Sequence, residues 1–503
     1  MKYPGNAHKQ KSAGTWRRQL ATSMMGLSLL AAAPALAQEV DPTAPAEPLR
    51  GAHLFGDWGG MQPWLLNHGF QVSFQWTTES TANIAGGNHV GGGYADERLM
   101  YVHTDWDKLA GIPGFKTHMA FTNRAGNDAT DKAVGDPLMK TMEVHGSAYD
   151  RGIRIPKFIL EESLWDDMVS IAGGRGSTNE LSLDPFQCNF MNQTVCGTVR
   201  TFGYVGAGGA WPMSTWYARI RVRPTPDTYV MGALGLAEPA PGGGRKGFDW
   251  FDLKSASSDP NCINGGSSRS ASPGDTTSKT GCLTGRDHRL AFGWTPKFGQ
   301  DQLPGEYRIG AGYDDKYRND FYSNSLGQPY RRYSANTVAG KAALVNGASY
   351  AWFNARQMIM RNGPGPQDGV ILDLYLPYVV TNNVVALKDF AFAGLSDRGF
   401  WKSRPEDQIN FGVSYYAMDA AYTLAEQNFG INAIAGSSLS GKGVPSVPLY
   451  GVQKMGWVYE LNYNLPIYRG VELQPGIQYW VHPGAQNVVP NATVLELRTR
   501  VVF

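Results

Sequence analysis

The sequence predicts an all-β fold, a transmembrane antiparallel β-barrel with long extracellular loops, and three observations point to it. Several segments of the 503-residue chain alternate apolar and polar residues with a period of two. Glycine and aromatic residues, which suit tight turns and membrane interfaces, are abundant, with 61 Gly, 24 Tyr and 14 Trp. Beyond the N-terminal region, the sequence has no apolar run of the roughly 18 residues that a membrane-spanning helix requires.

The alternation is clearest from Phe70 to Glu79, where aromatic and aliphatic residues take the even positions up to Trp76 and polar residues the odd ones. The same pattern recurs at 217–224, 306–313, 408–415, 457–465 and 471–482. In a membrane barrel the apolar face contacts lipid and the polar face lines a wet lumen. A soluble sandwich would instead bury the apolar face in a core. The alternation alone therefore leaves a secreted β-protein open as an alternative.

The last strand, from Thr493 to Phe503, favours the membrane barrel. Its odd positions are mostly apolar, whereas its even positions carry Glu496, Arg498 and Arg500. A chain that ends on an aromatic residue after such alternation resembles the recognition signal of bacterial outer-membrane barrels. We therefore expect the outer membrane of a Gram-negative bacterium as the location. Lipid and the barrel-assembly machinery, through the strand that ends at Phe503, are the expected partners.

The N-terminal region has the features of a secretory signal peptide, which we place at residues 1–37. Basic residues come first, an apolar stretch from Leu20 to Ala33 follows, and Ala35-Leu36-Ala37 provides a small-x-small cleavage site. The proline-rich residues 38–53 are interpreted as a periplasmic leader. Residues 54–503 then form the outer-membrane barrel.

Four cysteines follow the signal peptide, and they predict disulfides because an exported protein folds under oxidising conditions. Proximity along the chain pairs Cys188 with Cys196 and Cys262 with Cys282. A metal site is the alternative, but neither pair has CxxC spacing or a nearby histidine, so we expect no metal and no cofactor. The formal net charge of +2 gives no reason to expect nucleic acid as a partner.

Three arginines, Arg219, Arg221 and Arg223, alternate with apolar residues and therefore project from one face of a strand. Facing lipid near the bilayer centre, each would cost roughly 2–4 kcal/mol, so we expect them in the lumen or at the interface. In a lumen, guanidinium groups offer planar donors to solute hydroxyl groups, and Trp211 upstream offers a stacking face for sugar rings. The alternative is that these arginines only pair with acidic side chains to hold the wall.

Four further residues are predicted to line the pore: Glu79, Asn83, Arg98 and Arg498. Glu79 ends the polar face of the first strand, and Asn83 follows it. Arg498 lies on the polar face of the last strand, which must pair with the first strand to close a barrel. Arg98 shares the parity of the apolar Met100, so its placement in the lumen requires a bulge or a loop.

The sequence gives little support for catalysis, since it has neither an HExxH metal motif nor a GxSxG nucleophile elbow. The acidic residues Glu161-Glu162 and Asp166-Asp167 could be read as a glycosidase pair, but we interpret them as a solvated turn. We expect no enzymatic activity.

Motifs spread along the chain together resemble those of one protein family. They are Leu54-Phe55-Gly56-Asp57-Trp58-Gly59-Gly60, Asp105 to Gly114, Gly174-Arg175, Cys188 to Gly197, Arg404 to Gln408 and Leu473 to Gly484. In this order they resemble the carbohydrate-selective porins of the OprB type. The resemblance implies sixteen strands around a constriction of arginine, acidic and aromatic groups, onto which Glu79, Arg98, Arg219 and Trp211 map. Glu496, where the family usually has glycine, and a long Cys262–Cys282 insertion are departures that bear on sugar preference.

The function implied by the resemblance is passive, carbohydrate-selective diffusion of monosaccharides, such as glucose-like sugars or polyols. Two alternatives are kept: a general porin without sugar preference, and a secreted sugar-binding or hydrolytic β-protein. The sequence leaves the oligomeric state open between monomer and homo-oligomer.

Overall fold

The computed structural model describes residues 52–128, 130–144, 153–177, 190, 211–212, 214–236, 286–329, 342–429 and 451–503. The predicted signal peptide, the leader up to residue 51 and all four cysteines with their predicted disulfides lie outside these residues. Among the described residues, no helix is both long and apolar enough to cross a bilayer.

Strands dominate the part of the chain that the structure describes. The first eight are β1 Phe70–Ala85, β2 Gly91–Asp105, β3 Phe115–Asn127, β4 Arg154–Leu164, β5 Val169–Gly176, β6 Thr215–Thr225, β7 Thr228–Leu236 and β8 Arg286–Trp294. The others are β9 Lys297–Phe298, β10 Leu303–Asn324, β11 Ala342–Arg361, β12 Gly369–Val379, β13 Leu387–Arg398, β14 Gln408–Met418, β15 Met455–Tyr468, β16 Val471–Val481 and β17 Ala492–Val502. The helices are α1 Met61–Asn67, α2 Trp106–Ala110 and α3 Ala420–Phe429, with helical turns at Thr130–Val134 and Pro483–Ala485.

Sixteen of the described strands form one closed antiparallel ring, which confirms the predicted fold. Each strand pairs with its neighbours in the chain, except that β8 pairs directly with β10 and the two-residue β9 pairs only with the start of β10. The ring closes where β1 pairs with β17, and Glu79 lies opposite Arg498 in that register. The β10–β11 hairpin, with strands of 22 and 20 residues, is longer than the roughly 9–11 residues needed to cross a bilayer.

The two ends of the barrel differ in their connections. At the short-turn end the connections are brief, such as residues 226–227 between β6 and β7 and residues 469–470 between β15 and β16. The C-terminus also lies at this end, where Leu54 donates its backbone N–H to the Val502 carbonyl at 2.7 Å. The opposite end, the long-loop end, has the connections 128–153, 177–214, 237–285 and 419–454.

Side chains alternate between an apolar outer face and a mostly polar inner face. Leu495 on β17 is 46% exposed, whereas the next residue, Glu496, is only 5% exposed. In a soluble protein the exposed face of a strand is polar, whereas here the exposed face is apolar. This pattern therefore fits lipid outside the ring and polar groups within it.

A segment of the chain lies inside the ring. Residues 130–144, here called the inner loop, bury their apolar side chains Leu138 and Met139 in one cluster with the inward aromatic residues Tyr416 and Trp480. Apolar packing thus holds the inner loop against the wall formed by β14 and β16. A loop folded into a barrel narrows the lumen.

Part of the inner wall is aromatic rather than polar. The rings of Tyr350 and Trp352 on β11 stack with their centroids 6.0 Å apart, and both side chains are buried. Gly312 and Gly310 on β10 lie directly opposite these two residues. A Cβ atom at either glycine would come within 2.3 Å or 2.2 Å of the facing ring, so the rings can lie flat only because β10 has glycine there.

Candidate functional site

The first cluster of charged residues inside the barrel lies where β1 pairs with β17 to close the barrel. Arg498 on β17 lies 2.7 Å from Glu79 Oε1 on β1 through its Nη2 atom, and its Nε donates to the same oxygen at 2.8 Å. The same guanidinium donates to Glu143 Oε2 of the inner loop at 2.9 Å and to Gln474 Oε1 on β16 at 3.1 Å. We call these four residues the seam cluster. Because Glu79 is 0% and Arg498 is 5% exposed, their ion pair is shielded from solvent.

The inner loop is fixed to the wall at several points, and two of them involve fully buried carboxylates. Near its end, the Val144 backbone N–H donates to Glu79 Oε2 at 2.8 Å. In its middle, the Tyr416 hydroxyl donates to Asp136 Oδ2 at 2.5 Å, and the Gly484 N–H donates to the same oxygen at 2.7 Å. Since both carboxylates are fully buried, these contacts are not weakened by water. The loop that narrows the lumen is therefore held by named polar groups.

A second cluster of charged residues inside the barrel lies beside two aromatic rings. Glu97 on β2 lies opposite Arg124 on β3, and Arg124 donates to both carboxylate oxygens, at 2.8 Å and 3.1 Å. Trp211 Nε1 donates to Glu97 Oε1 at 2.7 Å, and the Trp211 ring lies 6.2 Å from the Tyr101 ring. We call these four residues the platform cluster. The ammonium of Lys157 lies 5.8 Å from the centre of the Tyr101 ring.

Burial divides the platform cluster into a fixed part and an accessible part. Glu97 and Arg124 are each 6% exposed, whereas the Trp211 and Tyr101 rings are half-buried. Arg124 Nη1 also donates to the Glu143 carbonyl at 3.3 Å, which joins the platform cluster to the inner loop. The arrangement presents flat apolar ring faces beside fixed donors and acceptors. Such a surface can stack a ring-shaped solute and hydrogen-bond its hydroxyl groups.

The three arginines of β6 point inward, on the face opposite to Ile220, and each is close to a carboxylate. Arg219 Nη2 lies 3.7 Å from Glu161 Oε1. Arg221 Nη2 and Arg223 Nη1 lie 2.9 Å and 3.2 Å from the two carboxylate oxygens of Asp167. The exposed fraction of the arginine side chains rises toward the short-turn end, from 4% to 15% to 39%. These arginines thus line the wall as ion pairs.

The interpretation of Glu161 to Asp167 as one solvated turn is wrong. Glu161 lies within β4, opposite Ala172 of β5, and faces the inside of the ring. Ser170 donates its hydroxyl to Glu161 Oε1 at 2.5 Å. Asp167 does lie in the turn between β4 and β5, but it is held by two arginines. Glu161 and Asp167 therefore pair with the three arginines of β6, and the group keeps one positive charge in excess.

A row of hydrogen-bonding side chains extends from Glu161 across the inner wall. His118 Nε2 lies 3.2 Å from Glu161 Oε2, and His118 Nδ1 lies 2.7 Å from His103 Nδ1. The two imidazole rings meet edge to face with centroids 5.0 Å apart. Within the described part of the chain, no set of three or more His, Cys, Asp or Glu side chains is arranged to hold a metal ion.

The prediction that Arg98 lines the pore is wrong. β1 and β2 pair over fourteen residues without a register shift, so the bulge that an inward Arg98 required is missing from this pair. Arg98 lies opposite Trp76 and points outward, with 58% of its side chain exposed. Its guanidinium donates to Asp96 Oδ2 at 2.6 Å and to Asn123 Oδ1 at 2.8 Å.

Asn83 lies on the inner face but is occupied by backbone contacts. Its Nδ2 donates to the carbonyls of Gly86, His89 and Ala133 at 2.8 Å, 2.9 Å and 3.2 Å. The side chain is 2% exposed, so little of it can meet a solute. Asn83 thereby ties the β1–β2 connection to the inner loop.

Glu97, Arg124 and Glu143 were not predicted from the sequence as site residues. In β2 the residues around Glu97 are charged on both faces, so alternation alone did not assign the inner face. The pairing with β1 assigns it, because Glu97 lies opposite the inward Thr77. A carboxylate facing an arginine across two adjacent strands was the signal available in the sequence, once β2 and β3 were aligned.

Known proteins share this architecture. The family profile described as carbohydrate-selective porin, OprB family, matches residues 89–503. Porin B of Pseudomonas aeruginosa is 25% identical over 459 residues, which cover 90% of this chain and 91% of that protein. The solved high-pH structure of OprB from Pseudomonas putida has the same barrel fold, with a TM-score of 0.73 at 22% identity, covering 91% of this chain and 100% of that chain. Since the family profile spans most of its length, this chain belongs to the carbohydrate-selective porin (OprB) family.

Proposed function

We propose that this chain is an outer-membrane porin through which monosaccharides, such as glucose-like sugars and related polyols, diffuse passively past the inner loop. Its family membership supports a sugar channel in general terms. The platform cluster is the observation that carries the finer assignment, because it combines half-buried aromatic rings with a fixed arginine–carboxylate pair. A pyranose ring offers the matching features, an apolar C–H face and an edge of hydroxyl groups.

The proposed mechanism is brief stacking on Trp211 with hydroxyl hydrogen bonds at Glu97 and Arg124. The guanidinium fork of Arg124 supplies planar donors, and the Glu97 carboxylate supplies acceptors. Because these two groups already bind each other at 2.8 Å and 3.1 Å, a solute must share them, which keeps its binding weak. Weak binding lets the solute leave as readily as it enters, which a passive channel requires.

The other predicted site residues have supporting roles in this proposal. Glu79 and Arg498 hold the inner loop, which sets the width of the lumen beside the platform cluster. Arg219, Arg221 and Arg223 line the wall between the platform cluster and the short-turn end. Their charges set the electric field in that part of the lumen. Solute contacts are expected at Trp211 and the exposed arginines rather than at Glu79, which is fully buried.

The proposed orientation places the short-turn end in the periplasm and the long-loop end outside the cell, as in other outer-membrane barrels. Removal of residues 1–37 after export, and recognition by the barrel-assembly machinery of the strand that ends at Phe503, belong to the same proposal. The apolar outer face of β17, on which Leu495 is 46% and Leu497 is 43% exposed, supports a lipid environment.

Liposome swelling tests the proposal. Proteoliposomes are diluted into isotonic glucose or into isotonic glutamine, a neutral solute of similar size without a sugar ring. We expect faster entry of glucose, and we expect Trp211→Ala to slow glucose without slowing glutamine. The matched control is Trp64→Ala, because Trp64 lies on α1 and is 56% exposed. Equal rates for both solutes would favour a general porin, and no swelling with any solute would rule out a channel.

A further inference from the structure

The residues that precede β1 expose several large apolar side chains. We call residues 54–68 the rim segment. Four of its large apolar side chains are at least half exposed: Phe55, Met61, Trp64 and Leu66. Its helix, α1, contains no charged residue, and the whole segment contains no lysine or arginine. Large apolar side chains that are exposed together mark a surface that binds a partner.

Ring contacts hold the rim segment against the outer side of the barrel. The centroid of the Trp58 ring lies 5.8 Å from that of Phe74 on β1, and the Phe55 ring lies 5.8 Å from that of Phe503. Phe74 belongs to the apolar outer face of β1, where it is 40% exposed. The rim segment therefore folds over the end of β1 toward the side that faces lipid, and not into the lumen.

Backbone hydrogen bonds fix the start of the rim segment at the level of the turn between β15 and β16. The Leu54 N–H donates to the Val502 carbonyl at 2.7 Å, and the Val502 N–H donates to the Gly470 carbonyl in that turn at 2.8 Å. A Cβ atom at Gly470 would come within 2.5 Å of Leu54 N, so the segment and the turn are in close contact. The rim segment therefore begins at the rim of the barrel, at its short-turn end.

Exposed aromatic side chains occur at the same end of the barrel in other turns. Trp165 between β4 and β5 is 71% exposed, Trp401 between β13 and β14 is 54% exposed, and Tyr468 at the end of β15 is 54% exposed. Tryptophan and tyrosine are enriched where a membrane protein meets the lipid headgroups, since each combines an apolar ring with a polar atom. These residues indicate that the membrane surface lies at the level of the rim segment.

We propose that the rim segment binds phospholipid of the periplasmic leaflet, with α1 lying in the headgroup layer beside β1. This inference rests on the proposed membrane location of the barrel. Phospholipid is the partner that the contacts favour, because the rim segment packs on Phe74 and so continues the apolar outer wall. Since the segment contains no lysine or arginine, its attachment depends on apolar contact and not on anionic headgroups. Bound in this way, it covers the end of β1 beside the strand that closes the barrel.

Quenching of tryptophan fluorescence by brominated phospholipid tests the inference. The full-length protein and Trp64→Phe are reconstituted in phosphatidylcholine vesicles whose acyl chains are brominated near the headgroup, and in unbrominated vesicles. The difference between the two emission spectra reports Trp64 alone. We expect this difference signal to be severalfold weaker in the brominated vesicles. The difference signal of Trp211→Phe, which reports a ring in the lumen, should be the same in both kinds of vesicle.

Two further variants make the outcome decisive. Trp76→Phe reports a ring on the outer wall of β1 that is 37% exposed, so an unquenched Trp76 signal would overturn the membrane location and this inference with it. Met61→Trp, added to Trp64→Phe, should restore a lipid-quenched signal, because Met61 lies on α1 and is 52% exposed. If brominated lipid quenches Trp76 but neither Trp64 nor the tryptophan at position 61, the barrel is in the membrane and the lipid contact of the rim segment is wrong.

Discussion

Two regions of the barrel hold inward arginines in similar ion pairs but with different burial. In the seam cluster, Arg498 is 5% exposed, its partner Glu79 is fully buried, and both bind the inner loop. Near the short-turn end, the side chains of Arg223 and Asp167 are each 39% exposed. A buried pair is costly to break and can fix a loop, whereas an exposed pair is weak and leaves its charge to act on passing solutes. The difference in burial therefore indicates that the seam cluster holds the inner loop, whereas the arginines near the short-turn end act on passing solutes through their charge.

Arg498→Met is expected to have the largest effect, because it leaves Glu79 buried without its cation. Removing one partner of a buried ion pair costs about 3–5 kcal/mol. The free energy of unfolding, measured by urea titration in lipid vesicles, should fall by about this amount. Single-channel conductance should rise, since the inner loop loses its contact at Glu143.

Arg500→Met is the matched control for that substitution. Arg500 lies on the same face of β17, but it is exposed and donates to Gln75 Oε1 at 3.1 Å. Its replacement should change the free energy of unfolding by less than about 1 kcal/mol. Equal losses from both substitutions would show that burial does not separate the two regions.

Glu426 on α3 extends the comparison to a buried carboxylate held by a backbone amide. Its Oε2 accepts from the Gln453 N–H at 2.6 Å, Oε1 accepts no hydrogen bond, and burial raises the pKa of Glu426 to about 8 from 4.5. Between these values the folded protein keeps a proton that the unfolded chain releases. Stability is therefore full below about pH 4.5 and decreases as the pH rises to about 8, by up to about 1.4 kcal/mol per pH unit.

Unfolding midpoints between pH 5 and pH 8 measure this dependence. Glu426→Gln keeps an oxygen for the Gln453 N–H but cannot ionise, so its stability should vary less with pH than that of the unsubstituted chain. The same pH slope in both proteins would show that Glu426 does not hold the proton.

Tyr416→Phe weakens another anchor of the inner loop. The substitution removes the hydroxyl that donates to the buried Asp136, which still accepts from the Gly484 N–H. The expected loss is about 1–3 kcal/mol of unfolding free energy, with noisier single-channel currents because the loop is less firmly held. Tyr459→Phe, on the outer face of β15 and 36% exposed, should leave both unchanged. Quiet currents in Tyr416→Phe would argue against this anchor.

The double substitution Arg221→Ala and Arg223→Ala should have the smallest effect on stability, at most about 1 kcal/mol, because the ion pairs are partly exposed. It should nevertheless shift the reversal potential in a salt gradient toward cation selectivity, because Asp167 loses its counter-charges. Arg286→Ala, at the long-loop end of β8, is the control for loss of a distant positive charge. An unchanged reversal potential would contradict a lumenal field from the β6 arginines.

The fold could be predicted from the sequence because alternation, the aromatic C-terminus and the missing apolar helices all report local chemistry. The approach of Glu79 to Arg498 could also be predicted, because the first and last strands must pair in a closed barrel. Arg98 was misplaced because β2 has charged residues on both faces, and only the register with β1 decides which face is inside. The position of the inner loop could not be predicted, because its contacts with the wall, such as that of Tyr416 with Asp136, join residues 280 positions apart.

The most direct test of the sugar-channel account is a glucose titration of single-channel current in planar bilayers, with the unsubstituted chain and Trp211→Ala. Glucose should reduce the ion current reversibly and to saturation in the unsubstituted chain. Trp211→Ala should weaken the apparent glucose affinity by about tenfold, equivalent to about 1.4 kcal/mol of lost stacking and hydrogen bonding. A current insensitive to glucose, or the same sensitivity in both proteins, would contradict the assignment of the platform cluster as the sugar contact.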